Sequence, residues 1–406
     1  MNLNQHTLSN GLRIIQVPSP TPVAYCGFAI DAGTRDETSG EQGMAHFVEH
    51  LIFKGTTKRK AWHILNRMER VGGDLNAFTN KEETIIYTAF LAEHFARAVE
   101  LLADIVFHST FPKNEIAKEV DVILDEIQSY EDSPSDLIFD DFENLIFKGH
   151  SLGRNILGDP NLLKTFGSDD ALNWTRRFYK TSNMVFFFYG NVDFRHLVRC
   201  VEKYVGEIPD SKAEKLYVPL PDYLPERRVI HRDTHQAHVM IGCRSYDAHN
   251  EKRTGLYLLN NILGGPGMNS RLNIALREHR GLVYSVESNL TSYTDTGVFS
   301  IYFGCDPKDV DTCLTLVEKE LKRLCMARLT DSQLAAAKKQ IIGQIAVASD
   351  NFENLALDMG KTFLHYNRYE SQEEVFQRIE ALSADCLMEV ANEIFDEHRR
   401  SVLIYQ

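Results

Sequence analysis

The pattern of apolar and polar positions along the chain predicts strands and helices in alternation. Short apolar runs bounded by Gly, Pro or polar clusters are typical of strands, and apolar positions that recur every three or four residues indicate helices. One predicted helix ends at the stop signal Gly72-Gly73. In the first half of the chain, the pattern predicts strands at residues 12–17, 24–30, 75–79, 84–90 and 184–189, and helices at residues 45–54, 61–71, 93–105, 112–130 and 194–205.

The second half of the chain repeats this order. A predicted strand at residues 238–243 is followed by a helix from Thr254, a Gly264-Gly265 stop, and then a helix, a strand and more helices. Between the halves, prolines and charges from residue 209 to 225 are typical of an extended linker. We therefore predict a duplicated α+β unit. The predicted domains are residues 1–212 and residues 227–406, joined by a linker at residues 213–226.

Composition and charge narrow the possible partners. The chain has 406 residues, 43% hydrophobic and 25% charged, as in ordinary globular proteins. Its net charge of −13 opposes binding to nucleic-acid phosphates and to anionic membranes. The amino terminus lacks signal-peptide features, and the seven cysteines are scattered without a C-x-x-C pair. We expect a cytoplasmic protein with reduced thiols, and no nucleic-acid or membrane partner.

A pattern that suits a metal ion lies in the helix predicted at residues 45–54. His46, Glu49 and His50 share one face of this helix, because residues three and four apart are neighbours on a helix surface. Two imidazoles one turn apart form a clamp for zinc, and a carboxylate beside them can act on water. The order His-x-x-Glu-His is that of the inverted zincins. Paired histidines on a helix also occur as solvated or core residues, so the motif alone leaves both interpretations open.

The two halves of the chain differ at these positions. Only the first half retains residues that can hold a metal. This asymmetry favours a functional role, because a purely structural role would suit both copies. When the halves are set against each other, the residues opposite His46, Glu49, His50 and Glu126 are Leu256, Leu259, Asn260 and Gln344.

A catalytic zinc ion needs a third protein ligand and one open position. Glu119 and Glu126 lie two turns apart on one face of the helix predicted at residues 112–130. Glu126 follows Asp125 in a mostly apolar stretch, where a carboxylate needs a partner that a metal would supply. An ion pair with an arginine at the surface would satisfy Glu126 equally well, so its position in the sequence does not decide between the two.

The chain resembles the pitrilysin-type (M16) metallopeptidases over nearly its whole length. The matching segments are DAGTR at residues 31–35, GMAHFVEH at 43–50, FKGT at 53–56, GGDLNAFT at 72–79, VILDEI at 122–127, GNVD at 190–193, SRL at 270–272, LRE at 276–278 and GLVYS at 281–285. The resemblance implies two homologous domains, each a mostly antiparallel sheet packed with helices, that together form half of a clamshell chamber. It also implies one zinc ion (Zn2+) per chain, held by His46, His50 and Glu126.

The resemblance further implies roles for other residues of the site. Glu49 would act as general base and then as general acid, and Glu119 would be an acidic residue close to the metal. Tyr284 would stabilise the oxyanion, and Arg277 would clamp carbonyl groups of the substrate.

The resemblance also implies how a substrate binds. An extended peptide would add to the edge strand predicted at residues 75–79 through main-chain hydrogen bonds. Asn76, Ala77 and Phe78 would be the contact residues on that strand.

The function implied by the resemblance is that of a zinc-dependent endopeptidase acting on peptides or unfolded segments in a closed chamber. One chain supplies two of the four domains of such a chamber. We therefore expect a homodimer in which Arg277 and Tyr284 act in trans. The start of the chain lacks an Arg-rich presequence, so the resemblance is to the bacterial members of the processing-peptidase-like branch. The alternative is a non-catalytic scaffold or partner subunit of a processing-peptidase-like complex.

Overall fold

The computed structural model describes residues 3–232 and 234–406. Its strands are β1 (Asn4–Thr7), β2 (Arg13–Val17), β3 (Val23–Ile30), β4 (Asp74–Thr79), β5 (Thr84–Leu91), β6 (Met184–Tyr189), β7 (Arg227–Ile230), β8 (Ala237–Ser245), β9 (Val283–Ser292), β10 (Gly297–Cys305) and β11 (Ser401–Tyr405). Its helices are α1 (Met44–Leu51), α2 (Ala61–Glu69), α3 (Phe95–His108), α4 (Lys113–Glu131), α5 (Pro134–Ile146), α6 (Pro160–Leu163), α7 (Ser168–Phe178), α8 (Phe194–Val205), α9 (Arg253–Gly264), α10 (Val310–Met326), α11 (Asp331–Ala348), α12 (Phe352–Tyr366), α13 (Gln372–Ala381) and α14 (Ala384–Ile394).

The chain folds into two compact units, each built from several segments. Unit 1 comprises the chain up to Gln128 together with Arg154–Pro219 and Ser349–Tyr369. Unit 2 comprises Ser129–Gly153, Leu220–Ala348 and Glu370–Gln406. Each unit therefore contains a segment from the other half of the chain. One boundary in the linker predicted at residues 213–226 is not enough to divide the chain into these units.

The two units have sheets of the same topology. Among the described residues, the strand order is β1-β2-β6-β3-β5-β4 in unit 1 and β7-β11-β8-β10-β9 in unit 2. The order β2-β6-β3-β5-β4 in unit 1 corresponds to β7-β11-β8-β10-β9 in unit 2. The first two strands of each order are parallel, β2 with β6 and β7 with β11, and the other pairs are antiparallel. The predicted fold class, a duplicated α+β unit with mostly antiparallel sheets, is confirmed.

The sheet of unit 1 is buried on both faces, which explains the uninterrupted apolar sequence of β6. Side chains alternate between the faces of a strand. Phe186 and Phe188 of β6 join the core that contains α1 and α3. Phe187 and Tyr189 join a second core with Met359 on α12. A strand covered on both faces has no solvent-facing positions, so none of its residues is charged.

Helices α5 and α12 are the exchanged elements. Helix α12 lies in the second half of the chain but packs on the sheet of unit 1, where Gly360 is in contact with the ring of Phe187. Helix α5 lies in the first half but packs on the sheet of unit 2, where Ile138 and Phe142 join a core with Met240. Each exchanged helix follows the long helix of its own half, α4 or α11. The exchange is therefore itself part of the duplication.

The observed elements differ little from the predicted ones. The helix predicted at residues 45–54 ends earlier, at Leu51, and the turn that follows is closed by the Lys54 amide donating to the Leu51 carbonyl at 3.0 Å. Within the described part of the chain, no helix combines the length and the apolar character needed to cross a lipid bilayer.

Candidate metal centre

Helix α1 carries three of the candidate residues and has an unusual start. Its N-cap, Gly43, has a φ of 93° and no side chain with which to cap the helix. The carboxylate of Glu37 replaces the missing cap, accepting hydrogen bonds from the amides of Gly43 at 3.0 Å and Ala45 at 2.9 Å. Only glycine suits residue 43, because a Cβ there would lie 2.8 Å from the Cα of Gly158. The amino-terminal end of α1, two residues before His46, is therefore fixed in position.

Two histidines of α1 and one carboxylate of α4 converge on a common point. His46 Nε2 lies 3.7 Å from Glu126 Oε2, and His50 Nε2 lies 3.5 Å from the same oxygen. One ligand atom from each of the three residues lies within 4.8 Å of the other two. Two ligand atoms that are each about 2.1 Å from a tetrahedral zinc ion are about 3.4 Å apart. The three side chains therefore fit a zinc ion at their centre.

The protonation state of His46 suits a ligand. Burial, with a smaller contribution from the charge of His50, lowers the pKa of His46 to about 3. Its imidazole is therefore neutral near pH 7, as a metal ligand must be. The Nδ1 atom of His46 is buried and has no hydrogen-bond partner among the residues that the structure describes.

Glu119 lies behind His50 and does not join the three converging ligands. Its Oε2 is 3.3 Å from His50 Nδ1, on the side of the ring that faces away from Glu126. Its Oε1 is 2.6 Å from Lys54 Nζ. A carboxylate in this position fixes the orientation and tautomer of a ligating imidazole. Glu119 is buried, and the ammonium group of Lys54 pairs with the negative charge of the Glu119 carboxylate.

Glu49 lies one residue before His50 and contacts the end of strand β4. Burial raises its pKa, although the charge of His50 and hydrogen bonds from the hydroxyl and the amide of Thr79 oppose that rise. The result is a carboxylate held beside the metal centre with an affinity for protons above that of an ordinary glutamate. This is the property that a general base near neutral pH requires.

Strand β4 forms one edge of the sheet of unit 1 and carries Asn76, Ala77 and Phe78. The amide of Ala77 donates to Oδ1 of Asn76 at 2.9 Å. Phe78 packs edge-on against Tyr87 with ring centroids 6.3 Å apart. The predicted edge strand is therefore observed, and its role in binding substrate stays a prediction.

Arg277 and Tyr284 lie in unit 2, next to each other. Arg277 belongs to a π-helical turn, Asn273–Glu278, a distortion that is often found at functional sites. Its guanidinium lies 5.8 Å from the ring centroid of Tyr284 on β9. Both residues are exposed, and Tyr284 is 80% exposed to solvent.

Comparisons with known proteins match nearly the whole chain to one family. Residues 13–160 match the family model described as insulinase (peptidase family M16), and residues 165–341 match the model described as the peptidase M16 inactive domain. An uncharacterized zinc protease of Bacillus subtilis is 32% identical over 403 residues, covering 99% of this chain and 98% of that protein. The beta subunit of the bovine mitochondrial processing peptidase is 33% identical over 400 residues, covering 96% of this chain and 81% of that protein.

The chain belongs to peptidase family M16.

Solved structures show the same fold at lower identity. A protease from Helicobacter pylori superposes with a TM-score of 0.91 at 22% identity, covering 100% of this chain and 99% of the other. A protein from Pseudomonas fluorescens described as a peptidase M16 inactive domain superposes with a TM-score of 0.93 at 18% identity, covering 100% of this chain and 98% of the other. The resemblance stated from the sequence is confirmed.

Unit 2 of this M16 protein has a cavity at the position that corresponds to the metal ligands of unit 1. Asn260, the residue opposite His50 in the duplicated sequence, lines a cavity of about 490 Å³ together with Arg277 and Tyr284. The cavity also contacts the glycine-rich turn Gly264-Gly265-Pro266-Gly267. Among the described residues, unit 2 therefore has a recess at this position but no cluster of residues that could hold a metal ion.

Three residues of the centre were missed by reasoning from the sequence. Lys54 pairs with Glu119, Thr79 lies beside Glu49, and Glu37 caps α1. A signal was available for Glu37 alone: a helix that starts after a glycine needs a capping group from elsewhere. The partners of Lys54 and Thr79 depend on long-range packing, which no local pattern records.

Proposed function

We propose that this protein is a zinc-dependent endopeptidase that hydrolyses peptides or unfolded segments held in a closed chamber. The observation that carries the proposal is the convergence of His46, His50 and Glu126, with ligand atoms within 4.8 Å, beside the carboxylate of Glu49. The names of its relatives, zinc proteases and a processing-peptidase subunit, support the same reaction class.

The residues of the centre divide the chemistry between them. His46, His50 and Glu126 would hold a zinc ion, which when bound would supply Lewis-acid chemistry to a carbonyl group and to water. Glu49 accepts the proton of the attacking water and delivers it to the departing amine, acting first as base and then as acid. Glu119 keeps the His50 ring in the orientation that presents Nε2 to the metal.

We also propose that the substrate binds as an added strand along β4. The strand lies at the edge of the sheet, and its last residue, Thr79, contacts Glu49. Main-chain hydrogen bonds along such an edge bind an extended peptide without strong preference for its side chains. Asn76, Ala77 and Phe78 would border the bound peptide.

The same proposal includes a homodimer that shares its active sites. Arg277 and Tyr284 form an exposed pair in a unit that contains no metal ligands of its own among the described residues. In a C2 dimer, this pair would act in trans, with Arg277 clamping a carbonyl group and Tyr284 donating to the oxyanion.

We place the protein in the bacterial cytoplasm. Five of the seven cysteines are buried free thiols, which is usual in a reducing compartment. Several relatives are bacterial proteins, including that of Bacillus subtilis.

The decisive experiment is the Glu49→Gln variant of the full chain. Glutamine keeps the size of the side chain but cannot accept the proton, so we expect unchanged zinc content and cleavage reduced about 10²–10⁴-fold. Zinc is measured by elemental analysis, and cleavage with an internally quenched fluorescent peptide with and without a chelator. Asp125→Asn, an exposed acidic residue on α4, is the control and should match the unmodified chain.

A protein that binds no zinc, or that cleaves peptides equally well after metal removal, would contradict the proposal. Zinc binding without cleavage of any peptide in a library would favour the alternative, a scaffold or partner subunit.

A further inference from the structure

The segment between β3 and α1 contains the DAGTR motif, to which the proposed chemistry gives no role. Its first part is bonded to the turn between β4 and β5. The amides of Thr34 and Arg35 donate to the carbonyls of Asn80 at 3.2 Å and Lys81 at 2.7 Å. A Cβ at Gly33 would collide with both of these carbonyl oxygens. Only glycine therefore allows the segment to approach the turn this closely.

An ion pair strengthens the same contact. Nη1 of Arg35 lies 2.6 Å from Oε1 of Glu82, which follows Lys81 in the turn. Both side chains are largely buried, with 14% and 10% of their surfaces exposed, so the pair is screened less than one at the surface. Two main-chain hydrogen bonds and one ion pair thus join the segment to the β4–β5 hairpin.

The carboxylate of Glu37 joins the other end of the segment to α1. Its two oxygens accept from the amides of Gly43 and Ala45, and Ala45 immediately precedes His46. Burial raises the pKa of Glu37 to about 8, and the two amide bonds oppose this rise. Because both oxygens accept hydrogen bonds, the geometry is that of the ionised carboxylate. The positive end of the α1 dipole favours this charge.

We infer that Glu37 is a positioning residue for the metal centre: its carboxylate fixes the first turn of α1, and with it His46, to the hairpin that carries β4. All of these contacts lie within unit 1. The inference rests on the proposed function, in which His46 is a zinc ligand and β4 binds the peptide.

The two histidines would depend on Glu37 to different degrees. His46 lies in the first turn of α1, where the amides have no partners within the helix. His50 lies in the last turn, where Glu119 is 3.3 Å from its Nδ1 atom. Loss of the Glu37 carboxylate should therefore free His46 and leave His50 in place. A zinc ion that keeps only His50 and Glu126 as firm ligands would bind more weakly and with altered geometry.

The test is the Glu37→Gln variant of the full chain, studied above pH 8 so that Glu37 is ionised in the unmodified protein. Glutamine keeps the size of the side chain, but its NH2 group cannot accept from the second amide. Because a hydrogen bond to a charged group is lost, zinc binding in a titration against a chelator should weaken about tenfold or more. The visible spectrum of the cobalt(II)-loaded chain, which depends on ligand geometry, should also change.

Glu41→Gln is the matched control. Glu41 lies in the same segment, and its carboxylate also accepts from a main-chain amide, that of Thr38 at 3.1 Å, and pairs with Arg177. Neither bond involves α1. The zinc affinity and the cobalt spectrum of this variant should equal those of the unmodified chain. Equal weakening in both glutamine variants, or an unchanged zinc affinity in Glu37→Gln, would overturn the inference.

Hydrogen exchange in the metal-free chain separates the positioning role from a general loss of stability. In Glu37→Gln, the amides of the first turn of α1 should exchange about tenfold faster or more, whereas those of β6 should not change. Gly360→Ala, which crowds Phe187 far along the chain from α1, should instead speed exchange throughout unit 1 and keep the zinc affinity of the folded chain.

The unmodified chain supplies a test that needs no variant to fold. Its Ala45 amide should exchange as slowly as amides inside α1, although amides in the first turn of a helix ordinarily have no partner. A fast-exchanging Ala45 amide would contradict the role of Glu37. A chain that binds zinc but cleaves no peptide would contradict the proposed function only, because none of these readouts requires cleavage.

Discussion

His50 Nδ1 lies 3.3 Å from Glu119 Oε2, while the opposite ring nitrogen, Nε2, faces Glu126 at 3.5 Å. The two glutamates of α4 therefore approach the same imidazole from opposite sides. Glu126 is on the side shared with His46, and Glu119 is on the side shared with Lys54. From this geometry we expect the two carboxylates to have unequal roles.

The first prediction is that Glu126→Ala loses zinc far more readily than Glu119→Ala. Removing Glu126 takes away one of three ligands, whereas removing Glu119 leaves the ligands in place and frees the His50 ring to rotate. Loss of such an outer partner typically weakens metal binding about 10–100-fold. Zinc affinity is measured by titration against a chelator that reports its metal-bound form.

The control for this comparison is Asp125→Ala, which removes an exposed carboxylate beside Glu126. Its zinc affinity should equal that of the unmodified chain. Equal affinities in the Glu119 and Glu126 variants would show that the assignment of the third ligand is wrong.

The second prediction concerns the proposed sharing of sites between two chains. Mixing inactive Glu49→Gln protein with inactive Tyr284→Phe protein should restore activity. In a heterodimer, one site combines the intact metal centre of one chain with the intact tyrosine of the other. At equal amounts and free exchange, about half of the dimers are heterodimers with one working site each.

Subunit exchange is followed by energy transfer between fluorescent labels on the two variants. Each variant incubated alone is the control and should remain inactive. If the labels show exchange and no activity returns, the trans arrangement is wrong.

Local pattern predicted much of this structure. The apolar run at β6 and the three- and four-residue spacing of α1 were visible because each reflects the geometry of one element. The match of the two halves predicted two sheets of one topology. The pairing of His46 and His50 followed from one turn of helix, which needs no knowledge of tertiary contacts.

The exchange of α5 and α12 could not be predicted in this way. An amphipathic helix shows which of its faces is buried, but the pattern is the same whichever sheet covers that face. The contact between Thr79 and Glu49 is hidden for a similar reason. It depends on how the end of β4 approaches α1, and neither residue carries a signal of its partner.

The third prediction tests the packing of the exchanged helix α12. A Cβ at Gly360 would lie 2.5 Å from the ring of the buried Phe187, so Gly360→Ala should destabilise unit 1 by about 1–3 kcal/mol. Gly343 is exposed on α11, and a Cβ added there would have no heavy atom of the described residues within 4 Å, apart from those of its own helix turn. At this position the gain in helix propensity is unopposed, and Gly343→Ala should stabilise by about 0.5–1 kcal/mol.

Both variants are compared by thermal unfolding at one protein concentration. Opposite shifts in Tm are expected from the same substitution. A stabilising effect at both glycines would mean that α12 does not pack against Phe187 as described.

The fourth prediction is an acid-dependent stability that originates at Glu83, in the turn between β4 and β5. Burial raises the pKa of its carboxyl, but the hydrogen bond from His365 and the charge of Lys361 outweigh burial and bring the pKa to about 2. His365 Nε2 and Lys361 Nζ lie 3.1 Å and 2.7 Å from the carboxylate oxygens. Both partners belong to α12, so this cluster ties the exchanged helix to the sheet of unit 1.

The sign of the pH effect follows from the lowered pKa. The ordinary pKa of a glutamate is 4.5, so above that pH the folded state gains the full stabilisation from the ionised Glu83. As the pH falls from 4.5 towards 2, the unfolded chain takes up the proton first and the stabilisation is lost. We expect Glu83→Gln to be less stable by at most about 3 kcal/mol at pH 6, and the difference to shrink steadily below pH 4.5. Glu93→Gln, at a side chain that is 76% exposed, should show no such change with pH. Thermal unfolding of the three proteins from pH 6 to pH 3 provides the measurement, and a Glu83 difference that stays constant over this range would contradict the ionic role of the cluster.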